Sequence, residues 1–351
     1  MNLINETTGK IEPVETVWRE RAAARQLKLT KPPGSLGRLE EIADRLCAIQ
    51  RSLQPIVENR EIFVFAASHG VSNENVSPYP ASVTAQMVFN FLRGGAAINA
   101  LAKTANARLT VVDIGVDGDF NETQANFVRA KVARGTKNFA LGAAMSQIQM
   151  QAAVETGIEL AVAAKKRNTK IIGLGEMGIG NTTAASAITA ALLGIAPENC
   201  VGRGTGADDA MLAHKIEIVR RALDANQLDA DDAFDVLRKV GGFEIAGLVG
   251  LCLGAARERM AIITDGFITT AAVALAVKIC PAVRDYVFAS HLSVECGHSA
   301  LLDFINQKPL FDFEMRLGEG TGAALAMNVV AASVAAFNEM ATFKSANVSN
   351  K

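Results

Sequence analysis

The spacing of apolar positions changes along the chain, and the changes divide it. Residues 13–29 are charged and alanine-rich and predict a surface helix, broken by Lys31-Pro32-Pro33-Gly34. Ser35 then stands where it can cap a second helix, in which Leu36, Leu39, Ile42, Leu46, Ile49 and Leu53 recur at steps of three and four. Arg38, Glu41, Asp44 and Arg45 occupy the opposite face, so this helix buries one stripe only. No strand pattern precedes it, which predicts a helical amino-terminal piece.

From residue 61 the helical spacing gives way to short continuous runs. Ile62-Phe63-Val64-Phe65-Ala66-Ala67 ends in Ser68-His69-Gly70. Leu109–Gly115, Lys170–Gly175 and Ala261–Gly266 repeat the design, with long helical stretches between them. Apolar runs ending in Gly or Asp and separated by helices are the pattern of buried parallel strands in βαβ units. Ligands of such sheets bind beyond the carboxyl ends of the strands, which here are His69, Asp113, Glu176 and Asp265. After residue 286 no further strand is expected. Residues 323–342 are apolar nearly all round and predict a helix buried between other elements. The fold class is therefore α/β, with a parallel sheet flanked by helices. Residues 60–290 are expected to form the large domain, and both chain ends, 1–59 with 291–351, a small helical one.

Composition narrows the function. Half the residues are hydrophobic and only 5% aromatic, which suits small-residue helix-on-sheet packing and excludes intrinsic disorder. Thirty-five basic against 36 acidic residues leave a net charge of −1 with no basic stripe, so nucleic acid is not an expected partner. Five scattered cysteines show neither CxxC pairs nor zinc spacing, and no metal site is expected. The amino end lacks a signal-peptide pattern. Gly322–Phe337, 16 residues with Asn328 and Ser333 inside, is too short and polar for a membrane span. A cytoplasmic protein is expected.

Two glycine loops carry the candidate chemistry. Gly173-Leu174-Gly175-Glu176-Met177-Gly178 is a formal GxGxxG after a strand. A dinucleotide site would need an acid closing a second strand about 20 residues on, but Pro197-Glu198-Asn199-Cys200 stands there, and Asn181-Thr182-Thr183 places the helix start late. A cradle for a single phosphate and a tight turn needing glycine only for its backbone both stay open. In Met315-Arg316-Leu317-Gly318-Glu319-Gly320-Thr321-Gly322 a carboxylate flanked by glycines is free to face a ligand, and Arg316 offers a forked donor to phosphate or carboxylate; a solvated loop acid fits the bare pattern as well. Lys215, in a helix-like run, could reach a phosphate or simply face solvent. His69 is the most suggestive of the four histidines. No GxxxxGK[ST] or GxSxG motif occurs.

Six motifs occur in one order: Lys31–Glu40 (KPPGSLGRLE), His69-Gly70-Val71, Gly175–Gly178 with Asn181-Thr182-Thr183, Lys239–Phe243 (KVGGF), Asp265-Gly266-Phe267 and Met315–Met327. Together they resemble the nicotinate-nucleotide–dimethylbenzimidazole phosphoribosyltransferase family, over residues 28–345. The resemblance implies a Rossmann-like sheet with a small domain from both chain ends, a homodimer, and a pentosyl transfer without a cofactor. It implies that 5-phosphoribose moves from nicotinate mononucleotide to 5,6-dimethylbenzimidazole with inversion at the anomeric carbon, in assembly of the cobalamin nucleotide loop. By the same resemblance Glu319 is the catalytic base, while Gly175, Glu176, Gly178, Lys215, Arg316 and Gly318 hold the nucleotide's phosphate and ribose. Ser77, Gln86 and Met87 would line the benzimidazole site. The family commonly has Asp where this chain has Ser68. A nicotinamide-dinucleotide oxidoreductase and a non-catalytic nucleotide-phosphate sensor on the same fold are the rival readings.

Overall fold

The computed structural model describes residues 3–349. Met1, Asn2, Asn350 and Lys351, which belong to the expected end-built domain, lie outside the described residues. The core is a six-stranded sheet: β1 (Arg60–Ala67), β2 (Ala107–Gly115), β3 (Phe127–Arg129), β4 (Ile171–Met177), β5 (Ala261–Thr264) and β6 (Val287–Ala289), in spatial order 3-2-1-4-5-6. Every adjacent pair is parallel. The order reverses between β1 and β4, as in doubly wound folds, and opens a crevice at the carboxyl ends of these strands.

The four expected strands are present, and two more join them. Contrary to the expectation that strands stop at residue 286, Val287-Phe288-Ala289 pairs with β5. It is only three residues long but fully buried, too short for periodicity to reveal. The short edge strand β3 was likewise unexpected. Helix Phe243–Arg257 and helix Gln147–Lys166 pack closely behind the sheet, where Gly157 and Gly250 bring the two backbones together.

At the amino end the expected helices shorten to Thr16–Gln26 and Arg38–Gln50. Ser35 is not the cap of the second one. The chain turns at Gly34 and again at Gly37, so the helix begins after Gly37, and Glu40 in its first turn accepts the Leu36 N–H at 3.0 Å instead. Ala22, Ala43 and Cys47 from this end meet Phe337 from the other in a small separate apolar cluster. Leu29 bridges Thr342, and Arg25 donates to the Phe337 carbonyl. The apolar carboxyl-terminal helix runs Thr321–Glu339. By length and composition it could cross a membrane, but 56% of its most apolar window is buried inside the protein, where it packs on β1, β4 and β5. Its start fixes the second glycine loop over the crevice.

Candidate active site

The loop before that helix is held in an uncommon backbone form. Gly318, Glu319 and Gly320 have φ of 84°, 63° and 91°, three consecutive residues in the left-handed region. Glutamate pays a steric penalty there that glycine does not, so the surroundings must enforce it. Asp265, just past β5, supplies the restraint: its two carboxylate oxygens accept the N–H groups of Gly320 at 2.8 Å and Gly322 at 2.7 Å. On the other side the Glu319–Gly320 backbone lies against Gly175 of β4, where a Cβ would come within 2.6 Å of the Glu319 carbonyl oxygen. The Glu319 carboxyl is buried, and its Oε2 accepts one long hydrogen bond, 3.4 Å, from the N–H of Ile98 in the first turn of helix Ala97–Thr104. Burial raises its pKa above the ordinary carboxylate value, opposed by that N–H.

Glu176, near the end of β4, is buried beside this loop. A Cβ on Gly318 would collide with its Oε1, and Asn181 donates to its Oε2. Burial, with the charges of Asp265, Glu244 and Glu319, pushes Glu176 up to about 8. Asp265 is likewise pushed up to about 7 by burial, against the pull of its backbone donors. Burial thus raises both crevice carboxyls, and it raises Glu176, among three other acids, up to about 8.

Lys215 is buried, not solvated: it lies on helix Asp209–Asn226, and its Nζ donates to Thr182 Oγ1 at 2.7 Å and to the Gly202 carbonyl at 3.2 Å. Burial pushes its pKa down to about 8, with Glu295 opposing. Arg316 reaches the Gly204 carbonyl at 3.2 Å from the exposed part of the second glycine loop. The two cations thus converge on Gly202-Arg203-Gly204-Thr205-Gly206. That run carried no expectation, although alternating glycines after a loop were visible in the sequence. A cationic rim, a hydroxyl and glycine backbone suit an anion such as a phosphate.

The remaining candidates stand further out. Ser77 and Met87 are half-buried and Gln86 is exposed. Ser77 Oγ accepts the Tyr79 N–H at 3.2 Å. Gln86 and Met87 lie on helix Val83–Arg93, which Thr84 ties to the turn after β4 by accepting the Ile179 N–H at 3.0 Å. Asp113, a strand end like the others, is engaged by Lys131 at 3.2 Å and the Val116 N–H. Ser68 Oγ accepts the Asp117 N–H at 3.0 Å, so this position fixes a turn beside the sheet. The GxGxxG glycines answer to packing: Gly173 and Gly175 lie within β4, and the helix starts only at Asn181.

A phosphoribosyltransferase family model matches residues 11–348. The nicotinate-nucleotide–dimethylbenzimidazole phosphoribosyltransferase of Geotalea uraniireducens is 51% identical over 348 residues, 99% of each chain. That of Geobacter sulfurreducens is also 51% identical, again over 99% of both. The crystal structure of CobT from Thermus thermophilus superposes with a TM-score of 0.92 at 43% identity, covering 95% of this chain and all of that one. Matched over nearly its whole length by these relatives, the chain belongs to the nicotinate-nucleotide–dimethylbenzimidazole phosphoribosyltransferase family and is a phosphoribosyltransferase.

Proposed function

We propose that this enzyme transfers 5-phosphoribose from nicotinate mononucleotide to 5,6-dimethylbenzimidazole, giving α-ribazole 5′-phosphate and nicotinate for the cobalamin nucleotide loop. The observation that carries the mechanism is the Glu319 carboxyl: buried, weakly hydrogen-bonded, and fixed by the Asp265 clamp. In this reading a benzimidazole nitrogen attacks the anomeric carbon from the face opposite nicotinate. The bond to the pyridine nitrogen breaks, its electron pair leaves with nicotinate, and configuration inverts. The remaining ring N–H grows acidic as the new bond forms, and Glu319 accepts that proton. Lys215 and Arg316 hold the 5′-phosphate over the Gly202–Gly206 loop. Glu176, neutral at pH 7, is a hydrogen-bond donor for the ribose, beside Gly175, Gly178 and Gly318. Ser77, Gln86 and Met87 bound the acceptor base.

The end-built domain, 1–59 with 291–351, is proposed on the apolar cluster that joins both ends. A homodimer is proposed on the family resemblance and on exposed apolar side chains such as Leu141 and Ile148. A cytoplasmic location is supported by five free cysteines. Incubation with both substrates, followed by chromatography, tests the reaction: α-ribazole phosphate must appear in step with nicotinate, and its absence refutes the reading.

A further inference from the structure

Two of the sequence motifs, His69-Gly70 and Lys239–Phe243, have no substrate contact proposed for them, and a third, Gly175–Gly178, is not exhausted by its own. They meet at one buried pair. His69 Nε2 lies 2.6 Å from Glu244 Oε1, and both side chains are wholly removed from solvent. Glu244 sits in the first turn of helix Phe243–Arg257, where the helix end favours a negative charge. The imidazole is clasped from two sides. A Cβ on Gly178 would come within 3.1 Å of the ring, and one on Gly242 would collide with it and with the Glu244 carboxyl. His69 Nδ1 and Glu244 Oε2 have no hydrogen-bond partner, so the pair is held by its own bond and by this clasp. The turn it supports leads from Glu176 to Asn181, and Asn181 returns to bond the Glu176 carboxyl.

We propose that His69 and Glu244 are positioning residues for Glu176: the ring is the floor beneath the Glu176–Asn181 turn, and its bond to Glu244 holds the ring there. Gly318 of the second glycine loop and Asn181 of the following helix lie against Glu176, and the charges that act on it are those of Asp265, Glu244 and Glu319. Two of these acids lie beside an imidazole: Asp265 has His291 at 3.9 Å, and Glu244 has His69 at the much shorter 2.6 Å. The inference rests on the proposed reaction for its catalytic meaning, but its physical content does not.

The test is a carbon-NMR titration of glutamate carboxyl groups in the full-length enzyme, with the Glu176 signal assigned through E176Q. In E244Q the isosteric amide can keep the bond to His69 while removing the charge, so the Glu176 titration should move to lower pH by about half a pH unit or more, a roughly three-fold weaker hold on the proton. An unmoved titration in a folded E244Q overturns the proposal, because a pair seated beneath this turn must be felt at Glu176. G242A is the second variant. It keeps both charges but forces the pair apart, and it should raise KM for nicotinate mononucleotide and disturb the Glu176 titration. A wild-type titration and KM in G242A would also overturn it. Should the wild-type enzyme make no α-ribazole phosphate, the functional reading fails while the titration still decides the pair.

Discussion

Replacing Glu319 by glutamine removes a proton acceptor and leaves its scaffold in place. The backbone already adopts φ of 63° with a side chain present, and the amide oxygen of glutamine can accept the Ile98 N–H as Oε2 does. Burial raises the Glu319 pKa in the fold, so its ionisation costs folding energy at pH above its unfolded value. The glutamine variant escapes that cost and should be at least as stable as wild type at neutral pH. Catalysis behaves otherwise. A positioned general base contributes about 10²–10⁴ in rate, or roughly 3–5.5 kcal/mol of barrier. Glu319→Gln should therefore fold, bind both substrates and turn over at least about 100-fold slower. The loss belongs in kcat, because the ring proton becomes acidic only as the bond forms. Glu319→Asp, which keeps the charge but withdraws it by about one bond length, should fall between the two, as expected of a misplaced group. The assay is α-ribazole phosphate formation under single-turnover conditions, with thermal melting as the control for folding. A variant that keeps more than a tenth of the wild-type rate while chemistry limits turnover would refute the role of Glu319.

Lys215→Ala should reduce kcat/KM for nicotinate mononucleotide by roughly 10- to 150-fold, the worth of a charge-assisted phosphate contact of about 1.5–3 kcal/mol. Initial rates with each substrate varied in turn check this, and equal damage to both substrates would mark Lys215 as structural. Donor kcat/KM should fall as pH rises through about 8, because the Lys215 cation and the Glu176 proton are both lost there. On the acid side it should fall as Glu319 protonates, above the ordinary glutamate range. A flat pH–rate profile between pH 7 and 9.5 would contradict the proposed protonation states. Above its unfolded pKa, Glu176 subtracts from stability as it is forced towards ionisation, so Glu176→Gln should melt at a higher temperature than wild type at pH 8.5 and at nearly the same temperature at pH 4. Calorimetry with NAD should show no saturable sub-millimolar binding, since Gly173 and Gly175 lie within a strand and face the protein's own backbone and side chains.

The sheet was legible because buried parallel strands leave continuous apolar runs, and the second glycine loop was legible because two glycines flank an acid. What sequence could not decide was what approaches each glycine. A missing side chain signals that something comes close, but the same pattern serves a phosphate, a backbone or a ring. At Gly175 the neighbour is the Glu319 carbonyl, and at Gly178 it is the His69 ring and the Ala67 carbonyl. Lys215 was ambiguous for a related reason. A lone helix lysine is ordinarily solvated, and only the packing of its helix over residues 202–204 buries it against Thr182. His69 stood out at its strand end, but its pairing with Glu244 was beyond reach, because the two stand 175 residues apart and share no local pattern. Yet the contacts that sequence could not read are the ones on which the proposed chemistry rests. Glu319 and Glu176 are the same residue type on adjacent pieces of chain. In the proposed reaction one is a base and the other a held proton because of what surrounds them: the Asp265 clamp and the Ile98 N–H for the first, burial among Asp265, Glu244 and Glu319 for the second. The proposed division of labour in the crevice is thus a property of the fold, written as much into Asp265, Glu244 and the Ile98 N–H as into the two glutamates themselves.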